Sequence, residues 1–268
     1  MDANGTAALN GDSKPAALKI GDVTKEGVTL PHGYIDEKNE LHDHAELREI
    51  TGEEEDILGS SRVTWSERFS RIMGNCLVKV GTITEKNRLL AIPTKLPVGD
   101  RVVMLLALRI MSLGAQYEFE VVCSVCGAMT LCNIALDDLE LCIASDKKLR
   151  ETTLTLPSGK RAVVKLMTGE DEARLAKSSP ERDLASVAIL ARLKSLNDKD
   201  RIGMAEVKAL SMRDRNMIRD WYQNAEAGVD TDINANCIKC GKAFKTELDI
   251  GQPGFFFPKA SEAKTASL

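Results

Sequence analysis

CSVCG at residues 123–127 and CIKCG at residues 237–241 are two matching stretches that lie far apart in the chain. Each contains two cysteines separated by two residues and followed by a glycine, and together they use four of the seven cysteines. A CxxC turn directs two sulfur atoms toward one side, and the glycine accepts the tight backbone that follows. Each stretch can therefore supply two of the four ligands of a tetrahedral zinc site.

The residues before the two cysteine pairs also match. Asp100-Arg101 precedes Cys123 by the same distance at which Asp214-Arg215 precedes Cys237. Two upstream motifs also recur, in the same order. TLPHG (29–33) is repeated as TLPSG (155–159), and TGEEE (51–55) is repeated as TGEDE (168–172). Because several markers recur in one order, the sequence predicts an internal duplication. Chance similarity between two helix–strand segments is the alternative.

Thr51 and Thr168 each begin a stretch that is typical of a helix N-terminus. In both stretches an acidic residue follows three positions later, Glu54 in the first and Asp171 in the second, where its side chain can reach back to the cap. Acidic groups in the first turn also suit the positive end of the helix dipole. We therefore interpret these carboxylates as structural rather than catalytic.

Apolar residues at helical spacing predict a helix after the first cap. The residues of its apolar face are Phe69, Ile72, Met73, Cys76, Leu77 and Val80. Each Asp-Arg pair is predicted to open a further helix, which ends near Gly114 in the first half and near Gly228 in the second. A short strand, the CxxCG turn and a return strand complete each unit.

These patterns predict an α+β fold built from two duplicated helix-plus-β-hairpin modules that are joined at a four-cysteine, zinc-ribbon-like site. The predicted parts of the chain are a flexible N-terminal arm (1–28), a first module with its CxxC hairpin (29–145), a second module with its hairpin and an aromatic tail (150–258) and a flexible C-terminus (259–268).

If the two modules pack about a pseudo-twofold axis, each contributes one cysteine pair to a shared site. The predicted ligands of one structural zinc ion per chain are Cys123, Cys126, Cys237 and Cys240. A closed four-cysteine site leaves no position for water, so this zinc would be structural.

Three alternatives to the shared site stay open. Cys132 and Cys142 could complete a local site with the first pair, although the second pair would then lack partners. A thioredoxin-like redox role would place CxxC at the start of a helix, whereas here each pair lies between strand-like runs. The four thiols could also be ordinary core residues without a metal.

Composition restricts the class of protein. The hydrophobic content of 43% can form a substantial core, and the net charge of -4 counts against nucleic acid as the main partner. The apolar run at 102–115 is too short to cross a bilayer and contains Arg109, so it predicts a buried helix. We therefore do not expect a membrane protein. The start of the chain lacks the apolar core of a secretory signal, so we expect a cytosolic setting with reduced thiols.

No catalytic grouping is evident in the sequence. The three histidines, His32, His42 and His44, lie in a polar stretch ahead of the first cap, and neither HExxH nor a phosphate-binding glycine loop is present. His42 and His44 with Asp43 could bind a metal loosely, but a solvated loop pair is the preferred interpretation. We therefore predict that the protein is not an enzyme.

The stretch GFFFP (254–258) contains half of the six phenylalanines in a chain that is only 4% aromatic. Phe255, Phe256 and Phe257 are the predicted partner-binding residues. The alternative is that they fold back onto the core of their own domain. Since consecutive residues on an extended segment cannot all face one way, at least one is expected to face outward.

The assembled motifs resemble a family of tailed-bacteriophage tail proteins related to the baseplate hub assembly chaperones of contractile tails. The resemblance covers residues 29–258, and it is carried by TLPHGYID, ELREITGEEED, LPVGDRVVMLLALR, CSVCG, LSMRDRNMIRDWY, CIKCG and GFFFP. Cys132 and Cys142 depart from the pattern and are not explained by it.

The resemblance implies a non-enzymatic role in baseplate hub structure or assembly, with the four cysteines as the zinc site. The implied partners are hub or other tail proteins, and the implied location is the bacterial cytoplasm during assembly or the finished tail. The alternative is a zinc-ribbon nucleic-acid-binding module, which is suggested by the hairpins and by the basic pairs Lys147-Lys148 and Lys160-Arg161.

Overall fold

The computed structural model describes residues 18–24, 27–60, 62–178, 183–251 and 253–257. This part of the chain contains nine α-helices and thirteen β-strands. The helices are α1 (Ile20–Val23), α2 (Gly52–Gly59), α3 (Trp65–Cys76), α4 (Lys86–Lys95), α5 (Val98–Leu113), α6 (Gly169–Ser178), α7 (Leu184–Arg192), α8 (Met204–Lys208) and α9 (Met212–Ala225). The strands are β1 (Leu18–Lys19), β2 (Val28–Ile35), β3 (Leu41–Leu47), β4 (Leu77–Val80), β5 (Gln116–Val122), β6 (Met129–Ala135), β7 (Glu140–Cys142), β8 (Glu151–Thr155), β9 (Arg161–Lys165), β10 (Leu193–Leu196), β11 (Gly228–Val229), β12 (Asp232–Asn236) and β13 (Ala243–Glu247).

The strands form several small antiparallel sheets rather than one large sheet, so the predicted α+β class is confirmed. Two three-stranded sheets have the orders β2-β3-β4 and β8-β9-β10. Two hairpins, β5-β6 and β12-β13, form two-stranded sheets of their own. The sheet β1-β7-β11 joins strands from the start, middle and end of the described chain.

Both predicted helix caps are present. The backbone N–H of Thr51 donates to the Glu54 carboxylate at 3.0 Å, and the N–H of Thr168 donates to the Asp171 carboxylate at 3.1 Å. The shorter aspartate therefore makes the same reach-back contact as the glutamate. Glu54 is fully buried, and its bond to the Arg48 guanidinium, with those from Thr51, lowers its pKa to about 2.

Helix α3 ends earlier than its apolar spacing predicts. Phe69, Ile72, Met73 and Cys76 are buried on α3, as expected. The prediction is wrong for Leu77 and Val80, which belong to β4 and pair with Leu47 and Ala45 of β3. Apolar residues three apart fit either a helix or the two ends of a short strand, and the pairing with β3 decides between them.

The apolar core consists of two clusters. The larger contains buried residues between Ile20 and Leu141 together with residues between Ile233 and Phe256. The smaller lies between Leu156 and Ile218. The second hairpin therefore packs with the first half of the chain, although the limits 29–145 and 150–258 place it in the second module. Those limits stay a prediction.

Residues 18–23 do not belong to the flexible arm that the sequence predicts for 1–28. Leu18 and Lys19 pair with Leu141 and Glu140 of β7, and the side chain of Ile20 is fully buried. The stretch is too short for a sequence pattern to reveal, because its partner strand lies more than a hundred residues away. The remaining part of the arm before residue 18, and the C-terminus 259–268, lie outside the described residues.

The two Asp-Arg pairs make corresponding contacts through their aspartates. Asp100 is fully buried near the start of α5, and it accepts a hydrogen bond from the N–H of His32 at 2.8 Å. Asp214, at the same place in α9, accepts one from the N–H of Ser158 at 3.0 Å. His32 and Ser158 are the fourth residues of TLPHG and TLPSG. Each aspartate thus fixes the upstream turn against its helix.

The arginines of the two pairs also make corresponding contacts. Arg101 donates to the Ser70 hydroxyl on α3 and to the Pro93 carbonyl on α4, at 3.0 and 2.6 Å. Arg215 donates to a serine hydroxyl on α7 and to a carbonyl on α8, at 3.2 and 3.1 Å. Because each guanidinium has several donors in one plane, it can connect three helices at once.

The halves meet where α5 begins. Gly99 packs against the backbone of Ala227 and Gly228, and a Cβ atom at Gly99 would collide with the Ala227 carbonyl oxygen. The N–H of Ala227 donates to Nε2 of the buried His32 at 2.9 Å. Arg150 donates to the His32 carbonyl at 3.1 Å. We refer to this contact region, Gly99 and His32 against Ala227-Gly228, as the seam.

We expect Gly99→Ala to lower the free energy of unfolding by about 2–3 kcal/mol, because the added methyl group has no space at the seam. Gly52→Ala is the matched control, since a Cβ atom there meets no atom within 4 Å and alanine suits a helix better than glycine. Urea unfolding measures both variants. Equal stability of the two variants would contradict a tight seam.

Stability at acidic pH should depend on His32. Burial, together with the charges of Arg150 and Lys147, lowers the pKa of His32 to about 4. The pKa of a histidine in the unfolded chain is about 6.5. The stabilisation that neutral His32 provides is therefore fully present above pH 6.5 and is lost as the pH falls toward 4. His32→Gln offers Ala227 an acceptor that does not titrate. Between pH 7 and pH 4, urea unfolding should show a loss about 3 kcal/mol greater in the wild type than in the variant. Parallel pH profiles would contradict this role.

Candidate metal centre

The two CxxCG stretches form the turns of the two hairpins. Cys123 directly follows β5, and Cys237 directly follows β12. Gly127 and Gly241, with φ of +70° and +69°, lie in the left-handed region that glycine adopts without strain. Each glycine N–H donates to the carbonyl of the first cysteine of its turn at 2.9 Å. The predicted role of the glycine in closing the turn is thus observed twice.

Backbone donors approach the first sulfur of each turn in the same way. The N–H of Val125 lies 3.4 Å from Sγ of Cys123, and the N–H of Lys239 lies 3.4 Å from Sγ of Cys237. The Thr130 hydroxyl adds a further contact of 3.6 Å to Cys237. Donors that point at a sulfur stabilise its thiolate form, which is the form that binds metals.

The turns bring the four predicted sulfurs together. Sγ of Cys123 lies 4.0 Å from Sγ of Cys240, and Sγ of Cys126 lies 3.6 Å from Sγ of Cys237. All four sulfurs lie within 4.8 Å of one another. Zn–S bonds of about 2.3 Å in a tetrahedron require sulfurs about 3.8 Å apart. We call this group the cysteine quartet, and its spacing is compatible with a tetrahedral metal ion.

The charges of the quartet favour a bound cation. The Cys240 backbone and the Thr130 hydroxyl lower the pKa of the Cys237 thiol to about 6. The Ala128 N–H favours the Cys126 thiolate, but contacts with the neighbouring thiols and burial outweigh it and raise the pKa of Cys126 to about 11. One thiolate therefore forms easily and makes the next harder to form. A divalent cation would offset the repulsion between neighbouring thiolates.

The remaining cysteines do not join the quartet. Cys132 is buried on β6 opposite Phe119, and Cys142 lies on β7, so the structure does not assemble the alternative local site. The quartet cysteines are not disulfide-bonded. The CxxC pairs lie in turns between antiparallel strands rather than at helix N-termini, which is unlike the redox arrangement. Thr130 was missed from the sequence, because no motif marks a hydroxyl that approaches a sulfur of the other hairpin.

The three tail phenylalanines have different environments. Phe255 is fully buried, contacts Tyr117 edge-on at 5.2 Å and accepts a hydrogen bond from Arg109 through its carbonyl. Phe256 is 7% exposed and packs near Phe69. For these two residues the packing favours the fold-back alternative over partner binding. Phe257 is only partly buried and lies at the surface.

Phe256 and Phe257 line a surface cavity of about 410 Å³. Its other walls come from the start of α2 and the end of α5, and they include Ile50, Leu58 and Leu113. Of the two phenylalanines in this lining, Phe257 is the more exposed.

The other polar groups considered from the sequence have internal contacts. His42 and His44 lie on β3, and His42 is buried, so the interpretation as a solvated loop pair is wrong. Lys147 donates to the Asp43 carboxylate at 2.7 Å and to the Leu30 carbonyl at 3.2 Å. Arg161 lies 3.8 Å from Asp198. Each of these two cations therefore lies beside a carboxylate.

Comparison with known proteins identifies the family. The family model described as T4 bacteriophage base plate protein matches residues 38–257, which is most of the chain. No curated protein and no solved structure matches the chain. Among the described residues, none of the helices is both long and apolar enough to cross a membrane. The matched residues include both hairpins, all four quartet cysteines and Phe257. The chain belongs to the T4 bacteriophage base plate protein family.

Proposed function

We propose that this chain is a non-enzymatic protein of the baseplate hub, acting in its structure or assembly, and that one zinc ion stabilises it. The family match supports a structural role in the phage tail. The observation that carries the proposal is the cysteine quartet. Its sulfurs come from two distant hairpins and lie at the spacing of a tetrahedral zinc site. Such a centre has structural rather than catalytic chemistry.

Zinc is the metal that the quartet favours. Soft thiolate ligands select zinc, copper(I) or iron over magnesium and calcium, and a tetrahedron of four sulfurs is typical of structural zinc or of iron–sulfur centres. Each first cysteine is buried and each second cysteine is exposed, so the centre lies near the surface. A single ion fits more readily than a cluster, because the sulfurs lie only 3.6 and 4.0 Å apart across the hairpins.

Cys240→Ser should abolish tight zinc binding and lower the unfolding free energy by several kcal/mol, because the metal links two hairpins. The matched control is Cys142→Ser, which removes a partly buried cysteine outside the quartet. Native mass spectrometry measures zinc per chain, and thermal unfolding with and without chelator measures stability. We expect one zinc in the wild type and in the control. A metal-free wild type, or equal zinc content in both variants, would contradict the proposal.

The proposal includes a tandem duplication of one module. The order strand, strand, helix, helix, strand, helix, helix, hairpin occurs from β2 to β6, and again from β8 to β13 with the short β11 inserted. The corresponding contacts of Asp100 with Asp214 and of Arg101 with Arg215 support it further. In this view the quartet is the place where equivalent turns of the two modules meet.

The proposed partners are hub or other tail proteins, and the proposed contact is the cavity beside Phe257. This cavity is lined by both apolar and polar side chains, among them Leu113, Phe257 and Glu55, so it can anchor an amphipathic side chain of a partner. The proposed locations are the host cytoplasm during assembly and the virion tail. The lack of enzymatic activity is part of the proposal, because the buried His32, Asp100 and Arg101 have structural partners in the fold.

Phe257→Ala should impair baseplate formation while leaving the chain folded, because Phe257 borders the cavity and only part of its side chain packs on the core. The matched control is Leu184→Ala, which removes an apolar side chain that is 73% exposed and lies outside the cavity. A phage lacking this gene is complemented with each variant. Electron microscopy then counts tails that carry baseplates, and circular dichroism checks the fold.

We expect the wild type and the Leu184 variant to restore baseplates and the Phe257 variant to restore several-fold fewer. Full restoration by Phe257→Ala would remove the cavity from the proposal. Normal baseplates in the absence of the gene would overturn the proposed role itself. Mass spectrometry of purified particles distinguishes a resident hub component from a chaperone that leaves after assembly.

A further inference from the structure

A second group of side chains that could hold a metal ion lies at the turn between β2 and β3. Asp36 follows β2, Glu40 precedes β3, and His42 is the second residue of β3. One ligand atom from each residue lies within 4.8 Å of the other two. We call this group the turn triad. It shares no residue with the cysteine quartet and differs from the His42, Asp43 and His44 set considered from the sequence.

His42 is the informative member of the triad. Its side chain is 6% exposed, and its buried Nε2 atom faces Oδ2 of Asp36 at 3.4 Å without forming a well-aligned hydrogen bond. Gly81 packs against the ring so closely that a Cβ atom there would collide with it, and Tyr34 stacks on the ring with centroids 6.3 Å apart. The imidazole is therefore held in place. A buried polar atom that lacks a partner destabilises the fold, unless something binds it.

Asp36 is held with one oxygen toward His42. Its Oδ1 accepts hydrogen bonds from the N–H groups of Lys38 and Glu40, both at 2.9 Å. Its Oδ2 lies 3.4 Å from Nε2 of His42. This separation is close to that of two ligands on one zinc ion with bonds of about 2.0–2.2 Å. The turn thus positions a carboxylate oxygen before any metal binds.

One cation lies beside the triad, but another carboxylate holds it more closely. Arg88 is the nearest cation, and it lies 3.8 Å from Oδ2 of Asp36 but closer, at 3.1 Å, to Glu37. Lys95 also pairs with Glu37, at 3.7 Å. Among the described residues, the exposed Glu40 carboxylate makes no hydrogen bond or ion pair. It can turn toward the other two ligands at little cost.

We propose that the turn triad binds a divalent transition metal of the zinc class through Nε2 of His42, Oδ2 of Asp36 and a Glu40 carboxylate oxygen. One imidazole and two carboxylates form a ligand set that zinc accepts, and it is harder than the four sulfurs of the quartet. Three protein ligands leave a coordination position for water, so the triad would form an open site. This inference is independent of the proposed hub function.

The test uses the full chain with the quartet already filled, at one zinc per chain by mass spectrometry. Zinc chloride is then titrated by calorimetry, and the histidine rings are observed by ¹⁵N NMR. The chain has only three histidines, and His42 is assigned through its contact with Tyr34. We expect one further equivalent of zinc and a large shift of the His42 Nε2 signal, with His32 and His44 unchanged.

Glu40→Gln should weaken this second binding event about tenfold or more without affecting the fold, because Glu40 is exposed. Glu46→Gln is the matched control, since Glu46 lies on β3 and pairs with Lys79 outside the triad. The absence of a second equivalent would overturn the proposal. It would also be overturned by equal affinity in the two variants, or by a His42 signal that does not move. Loss of zinc from the quartet variants does not bear on this result.

Discussion

A buried aspartate–arginine pair at the start of a helix organises each half of the chain. The aspartate fixes an upstream turn, and the arginine connects two earlier helices by bonding a serine and a carbonyl. Burying charges costs free energy unless each one is paired or hydrogen-bonded. Asp100 shows this cost, because burial raises its pKa to about 7 despite two backbone donors. The pair is stable only when the turn and both helices are in position, so it couples their folding.

Two of the contacts that join the halves differ in kind. At the seam the contact is steric and hydrogen-bonded, with Gly99 and His32 against Ala227. At the quartet the contact is between sulfurs, which repel one another as thiolates in the absence of a cation. The seam can form in the protein alone. A metal ion at the quartet, as proposed, would remove this repulsion, so the two contacts would respond to different conditions.

Local chemistry was predictable from the sequence, and long-range pairing was not. The CxxCG turns, the end of α5 at Gly114 and the reach-back of Glu54 and Asp171 depend on neighbouring residues, and each was correctly predicted. The proximity of the four cysteines was also predicted, because each CxxC pair supplies only half of a four-ligand site.

The features that the sequence did not reveal share one cause, which is that a distant part of the chain determines them. The assignment of Leu77 to a strand depends on β3, and the order of residues 18–23 depends on β7. His42 was expected in a solvated loop, but pairing with β2 and packing against Gly81 bury it. The burial of Phe255 depends on Tyr117 and Arg109, and no local pattern in GFFFP reveals either neighbour.

The packing of the second hairpin shows what the quartet adds to the fold. A two-stranded hairpin is marginally stable alone, so β12-β13 requires other contacts. Ile233 and Phe244 supply some of them, since both are buried in the larger cluster with the first half of the chain. Apolar contacts of this kind are non-directional and keep the hairpin attached without fixing its angle. Bonds from the four sulfurs to the proposed zinc ion would be directional. We therefore infer that the quartet sets the orientation of the hairpins, whereas the apolar core determines that they pack together.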